Sequence, residues 1–257
     1  MPRSRPSWER AIIVGASSGI GAALARRLGE AGCRLALLAR RELELAHVAD
    51  TINRGASSSD PHALARPYVH DVTLPADVPP LFARVVGELG GLDLVVYAAG
   101  VMPPVGETEY SLHKDRQTLE VNLLGAIAWL NQAAEHFART RAGTIVGISS
   151  VAGDRGRRGN PAYCASKAAL DTYLEALRHR LVRSRVAVVT VKPGPVDTRM
   201  SAGVRRRPFL ISADRAAREI LAAARRGTPV AYVPRVWRPI MFAVRSLPHA
   251  LFARLDL

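Results

Sequence analysis

Ala11-Ile12-Ile13-Val14-Gly15-Ala16-Ser17-Ser18-Gly19-Ile20-Gly21 is the stretch whose reading decides the fold. The first four residues form a short apolar run, read as a buried strand. A glycine turn follows with the spacing Gly15-x-x-x-Gly19-x-Gly21, and then an Ala/Leu-rich helical pattern over 22–31 that Gly32 stops. Strand, glycine turn and helix in that order make the setting of a dinucleotide cradle. Glycines let the backbone turn tightly and approach a pyrophosphate, and a helix amino terminus presents free N–H groups to an anion. The spacing is not Gly-x-Gly-x-x-Gly, and a glycine turn by itself also fits an ordinary tight turn.

The same alternation continues downstream. Leu35 to Ala39 reads as a second strand, followed directly by Arg40 and Arg41. In a Rossmann unit the residue after this strand meets the adenosine ribose, where an acid suits NAD and an arginine suits the 2′-phosphate of NADP. Arg40 therefore points to NADP(H) rather than NAD(H); the alternative is a pair of solvated arginines. Residues 41–54 are an amphipathic helix and 54–61 a loop by composition. Residues 68–72 read as a third strand ending in a carboxylate, and Asp71 either accepts from an adenine amino group or caps a turn. A helix over 76–90 leads to a fourth strand, 92–97, closed by Ala98-Ala99-Gly100, small residues against which a flat cofactor can lie. A long helix is expected over 112–139. Its Asn122, a polar amide among apolar neighbours, must find partners: backbone groups, or a water in a proton path.

Strand 144–148 delivers Ser149 and Ser150. A helix over 161–183, a strand over 185–191, Pro193-Gly194-Pro195-Val196-Asp197-Thr198, a helix over 212–226 and a strand over 230–233 complete the pattern. This alternation predicts an α/β fold with a doubly wound, mostly parallel sheet, helices on both faces and a site at the carboxyl ends of the strands. Gly15, Asp71, Gly100, Ser150 and Pro193 all fall on that edge.

Tyr163 and Lys167 lie one turn apart on the predicted 161–183 helix, on one face. A free tyrosine titrates near ~10, and a nearby cation favours its ionised form. The pair can act as a tunable acid/base, with the Ser150 hydroxyl orienting a carbonyl or alcohol oxygen.

Composition narrows the classes. At 257 residues and 48% hydrophobic content the chain suits one large, fully cored domain. Cys33 and Cys164 stand far apart with no Cys-x-x-Cys spacing, which argues against a disulfide framework and a cysteine metal site. No long apolar h-region precedes the first strand and no run approaches the ~20 residues of a spanning helix. The expectation is a cytoplasmic protein without a metal. The net charge of +14, almost all arginine, can attract anions, but no nucleic-acid motif accompanies it and nucleic acid is not expected as a partner.

With these motifs assembled in order, the chain resembles the short-chain dehydrogenase/reductase family over residues 9–235. The match rests on Gly15-x-x-x-Gly19-x-Gly21, Asp71-Val72, Ala98-Ala99-Gly100, Asn122, Ser150, Tyr163-x-x-x-Lys167 and Pro193-Gly194 through Thr198. The resemblance implies a single Rossmann-like domain with a seven-stranded parallel sheet, in homodimers or homotetramers. It implies Tyr163 as acid/base, Lys167 lowering its pKa and holding the nicotinamide ribose, Ser150 positioning the substrate oxygen, and Asn122 anchoring a water. Gly15, Ser17, Ser18, Gly19, Ile20 and Gly21 would form the pyrophosphate turn. Asp71 and Val72 would hold adenine, Ala98, Ala99 and Gly100 would flank the cofactor, and Pro193, Gly194, Val196 and Thr198 would meet the nicotinamide. Arg40 would select NADP.

Three positions depart from the family pattern: Val14 for a threonine, Tyr97 for the asparagine before Ala98, and Ser18 where a second basic residue is common. The implied activity is an NADP(H)-dependent interconversion of a carbonyl and an alcohol, on a small apolar substrate. One alternative is a 3-oxoacyl-thioester reductase using coenzyme A or carrier-protein substrates, which would use the arginines at 155, 157, 158 and 205–207. Another is a cofactor-binding sensor or scaffold without chemistry. Residues 199–211 are expected to form a substrate lid. Residues 236–257, broken by Pro239 and Pro248 into two short helical pieces, are expected to pack on the domain or a partner subunit, or to touch a membrane surface.

Overall fold

A computed structural model describes residues 8–55, 64–204 and 206–254. Nine strands and nine α-helices are described. They are β1 (Arg10–Val14), α1 (Gly19–Glu30), β2 (Arg34–Ala39), α2 (Glu42–Gly55), β3 (Ala65–Val69), α3 (Val78–Leu89), β4 (Leu94–Tyr97), α4 (Leu112–Leu119), α5 (Gly125–Thr140), β5 (Thr144–Ile148), α6 (Pro161–Leu181), β6 (Ala187–Pro193), β7 (Val196–Asp197), β8 (Ile211–Ser212), α7 (Ala213–Arg225), β9 (Val230–Val233), α8 (Trp237–Ser246) and α9 (His249–Phe252).

Seven strands form one sheet in the order β3-β2-β1-β4-β5-β6-β9, and every pairing in it is parallel. Strand side chains alternate between two apolar layers. Ile13, Leu35, Leu37, Leu94 and Val96 face Leu24, Leu28, Leu45 and Ile220 of α1, α2 and α7. Ile12, Val14, Leu38, Val95 and Ile145 face Phe82, Trp129, Phe137, Leu170 and Leu174 of α3, α5 and α6. Burial on both faces is why these strands are continuous apolar runs. Strand order reverses direction between β1 and β4, and such a switch point opens a crevice at the carboxyl ends of the strands.

Several boundaries differ from the sequence reading. The third strand is 65–69 rather than 68–72, so Asp71 sits in the turn after it. The first helix starts at Gly19, inside the glycine turn. The sixth strand runs to Pro193. The expected 112–139 helix is interrupted by a π turn, Glu120–Leu124. The carboxyl-terminal segment does form two short helices, but only Pro248 separates them; Pro239 lies in the first turn of α8, where its missing N–H costs no intrahelical bond. Most of the 54–61 loop, and Arg205 of the arginine triplet, lie outside the described residues.

Candidate active site

The strands' carboxyl edge opens into a cavity of about 960 Å³. Its floor is the crevice between β1 and β4. Gly15 has φ +91°, and a Cβ there would run into the Ala98 and Ala99 backbone, so these two turns touch only because residue 15 is glycine. Ser18 caps α1 in extended conformation without a side-chain hydrogen bond to the helix, which leaves the first amides of α1 open. Gly15, Ser17, Ser18, Gly19, Ile20 and Gly21 all line the cavity.

The two arginines after β2 divide their work differently from the sequence reading. Arg40 leans toward Asp71, Nη1 to Oδ2 3.8 Å, and its side chain is 57% exposed. Arg41 reaches into the glycine turn, where Nη2 donates to Ser17 Oγ at 2.8 Å and Ser18 Oγ at 2.7 Å. It is Arg41, absent from the sequence-derived set, that stands over the cradle. Its contact with the two serines was visible in the sequence only as adjacency to Arg40. Asp71 caps its turn by accepting from the Thr73 amide and hydroxyl. Burial works to raise the Asp71 carboxyl, but the two Thr73 bonds and the Arg40 charge outweigh it and hold the group below its ordinary range. Val72, Ala98, Ala99 and Gly100 line the same wall.

The turn after β5 and the start of α6 bring Ser150, Tyr163 and Lys167 into one cavity. Ser150 follows β5 by two residues and caps a short 3-10 turn, Val151–Gly153, its Oγ accepting from Ala152 N at 3.1 Å. Asn160 caps α6 by accepting from Tyr163 N at 3.2 Å, with Pro161 in the first turn. That cap fixes where α6 starts, and hence where Tyr163 and Lys167 face. The Lys167 ammonium lies 5.7 Å from the centre of the Tyr163 ring and donates to Ile148 O at 2.9 Å. Burial pushes the Tyr163 hydroxyl up, while the Ser150 hydroxyl and the Arg157 charge pull the other way. Burial also pushes the Lys167 ammonium down from 10.5 to about 8, against the opposing Asp171 charge.

Asn122 projects from the π turn and is fully buried. Its Oδ1 accepts from Val101 N at 2.7 Å, and its Nδ2 donates to Val101 O at 3.0 Å and Ser166 Oγ at 3.1 Å. Of its two sequence-level readings, the backbone partners are present. Ser166, unnoticed in the sequence, links Asn122 to α6 and donates to Tyr163 O at 2.7 Å. Gly100 lies against this group, since a Cβ there would stand 3.4 Å from Asn122 Oδ1 and 3.7 Å from Lys167 Nζ.

Behind the site a second polar cluster ties the same elements together. Lys192 of β6 bonds Asp154 Oδ1, just beyond the Ser150 turn, and lies 2.9 Å from Asp171 Oδ2 on α6. Tyr232 of β9 donates to Asp154 Oδ2 at 2.9 Å. Burial acts to lower the Lys192 ammonium, but Asp154 and Asp171 outweigh it and hold it above its ordinary value.

Pro193, Gly194, Val196 and Thr198 line the cavity beyond β6. β7 and β8 pair through Val196↔Ile211 and Asp197↔Ser212, so the segment between them leaves and returns at one place. From it Met200, Gly203, Val204 and Arg207 line the cavity. In α8, Trp237 and Met241 pack on Val151, and the Trp237 ring fills the space a Cβ on Gly194 would need. Among the described residues no helix is long and apolar enough to cross a membrane.

The cradle, the serine, the tyrosine and the lysine therefore share one cavity. The sequence matches the family model for short chain dehydrogenase over residues 9–208. An uncharacterized oxidoreductase of Mycobacterium tuberculosis is 31% identical over 248 residues, 96% of either chain. A short chain dehydrogenase from Burkholderia cenocepacia, solved in complex with NADP, superposes with TM-score 0.80 at 26% identity, over 97% of this chain and 98% of that one. A variant of actinorhodin polyketide ketoreductase, solved with NADPH, gives TM-score 0.78 at 26% identity, covering 90% and 97%. The chain belongs to the short-chain dehydrogenase family and is an oxidoreductase of that family.

Proposed function

We propose that this member of the short-chain dehydrogenase family is an NADP(H)-dependent carbonyl reductase, or the corresponding alcohol dehydrogenase run in reverse. The observation that carries the reading is the convergence of Ser150, Tyr163 and Lys167 on a cavity whose other end is the glycine cradle under Arg41. The cradle suits a pyrophosphate: glycines without Cβ atoms, open amides at the start of α1, and a guanidinium fork two serines away from the turn. Arg41, with Arg40, would hold a 2′-phosphate, and Thr198 and Val196 would hold the nicotinamide end.

A bound nicotinamide supplies or takes the hydride. The protein supplies the rest. In reduction the Tyr163 hydroxyl gives its proton to the substrate oxygen, and the Ser150 hydroxyl holds that oxygen in place. The Lys167 charge stabilises the phenolate left behind, and Asn122 with Ser166 keeps α6 in register with the π turn. The segment 199–211 would serve as a lid, and residues 236–257 as an arm fastened to the 1–235 catalytic domain.

The likeness to the polyketide ketoreductase favours a second reading, reduction of a 3-oxoacyl thioester. One set of measurements tests both. NADPH and NADH are titrated by fluorescence, and oxidation is followed with neutral ketones and 3-oxoacyl thioesters. Tight NADPH binding, weakened by Arg41→Ala at least tenfold more than NADH binding is, supports the cofactor reading. Turnover lost in Tyr163→Phe with NADPH binding intact supports the mechanism. Unchanged turnover in that variant, or no binding of either nucleotide, would overturn it.

A further inference from the structure

Five arginines line the cavity: Arg40, Arg41, Arg157, Arg199 and Arg207. Four have acidic partners in this chain. Arg40 lies 3.8 Å from Asp71, Arg41 3.3 Å and Arg199 3.9 Å from Glu44, and Arg207 3.7 Å from Asp197. Arg157 is half-buried and, among the described residues, has neither an acidic group within ion-pair distance nor a side-chain hydrogen bond.

Its neighbours in the sequence are engaged elsewhere. Arg155 Nη1 donates to Val244 O at 2.6 Å and Leu247 O at 2.7 Å, closing the end of α8, and its guanidinium stacks 4.0 Å over Phe252. Arg158 donates to Ala253 O at 3.2 Å. The two flanking arginines fasten the carboxyl-terminal helices, and the middle one is left in the cavity. It stands in the loop between the turn that Ser150 caps and the Asn160 cap of α6, at the end of the cavity that holds Ser150 and Tyr163. The cradle arginines serve the opposite end. Met102, Pro103, Pro104, Val105 and Val204 add apolar lining to the cavity, and Pro103 O accepts from Asn160 Nδ2 at the start of α6 at 3.0 Å.

A half-buried guanidinium without a counter-ion is unfavourable, and a carboxylate or phosphate oxygen relieves it with charge-assisted bonds. We propose that the substrate carries an anionic oxygen group on an apolar body, and that Arg157 is the residue that binds the anion. The inference rests on the oxidoreductase reading and narrows its substrate class. It also separates Arg157 from the cofactor arginines, which it would otherwise resemble in a charge count.

The test is calorimetric and needs no turnover. Octanoate, octyl phosphate and neutral octanamide are titrated into the protein with and without saturating NADP. The wild type should bind at least one anion about tenfold or more tightly than octanamide, and the tighter of the two names the head group. Arg157→Gln should erase the preference while leaving octanamide and NADPH affinities unchanged, and Arg157→Lys should keep part of it. Equal binding of charged and neutral probes by the wild type would overturn the inference, as would a preference that survives in Arg157→Gln. A tenfold loss of NADPH affinity in that variant would assign Arg157 to the cofactor and overturn it too. Failure here with NADPH binding and Tyr163-dependent turnover intact sinks only the substrate class. Absence of NADPH binding sinks the NADP(H)-dependent reading, and the titration without NADP still decides this one.

Discussion

Lys167 is 4% exposed, and among the described residues its ammonium has one hydrogen-bond acceptor, the Ile148 carbonyl. Folding and chemistry make opposite demands on it. The unfolded chain holds this proton to pH 10.5 and the folded chain only to about 8, because burial disfavours the charge. Between those values the unfolded state binds more protons, so stability rises with pH across that window, and below pH 8 the full penalty is present. A depression of that size corresponds to about 3 kcal/mol. Replacing the lysine by methionine removes the penalty but strands the Ile148 carbonyl, at a cost of about 1 kcal/mol. Lys167→Met is therefore expected to be about 2 kcal/mol more stable than wild type at pH 7, and inactive. Urea denaturation at pH 7 and pH 9.5 checks this, since the advantage should shrink at the higher pH. An advantage independent of pH, or a destabilised variant, would contradict the account. The Tyr163/Lys167 spacing was legible as a motif because four residues make one helical turn. Asp171, one further turn along, gave no such signal, because its partner Lys192 lies on β6, outside the helix.

The π turn between α4 and α5 is the element that places Asn122, and Tyr97 accounts for it. Tyr97 is fully buried, and its hydroxyl donates to Val121 O at 2.6 Å. The Gly125 amide bonds Glu120 O instead, five residues back, which frees the Val121 carbonyl for the tyrosine. A Cβ on Gly125 would stand 2.7 Å from the Tyr97 hydroxyl, so glycine is needed where the helix resumes. The sequence reading marked Tyr97 only as a departure from the family's asparagine. In the structure a longer side chain supplies a different contact to the next element. Tyr97→Phe leaves a buried carbonyl without a partner and should cost about 1–2 kcal/mol. It should also lower kcat more than it weakens NADPH, because Asn122 and Ser166 shift while the cradle does not. Denaturant unfolding and steady-state kinetics check both effects, and a variant with wild-type stability and kcat would contradict this role. The long helix was legible from its periodicity; the register change inside it was not. A π turn alters which carbonyl each amide finds without altering the apolar stripe. The third strand was misplaced for a related reason. Its paired residues, Ala65-Arg66-Pro67-Tyr68-Val69, include an arginine and a proline, so hydropathy alone does not mark where it starts.

Across the whole molecule, the alternation of strand and helix was enough to foresee a parallel sheet and a site along one edge, because doubly buried strands and amphipathic helices have distinct periods. Which arginines line that edge was legible only in part, with Arg40 marked and Arg41 not, since a chain with 36 Lys and Arg residues offers too many candidates. The fold sorts them. Arg178 bonds Val188 O, Thr190 and Pro229 O, and Arg155 closes α8, while five arginines remain along the cavity. Against these five and Lys167, the cavity lining among the described residues holds one carboxylate, Asp71. Concave walls of low polarisability concentrate the field of such a set, and the net charge of +14 adds to it. An anionic nucleotide should therefore be drawn in from a distance, an effect that mobile ions screen once the Debye length falls to about 10 Å. Stopped-flow measurement of NADPH association should show the rate constant falling several-fold between about 20 and 200 mM NaCl. The value of kcat at saturation should change little, because Ser150, Tyr163 and Lys167 act across short distances inside the protein. A salt-independent association rate would mean that the cavity arginines are already neutralised by their internal partners, and that Arg41 acts on the nucleotide only at contact.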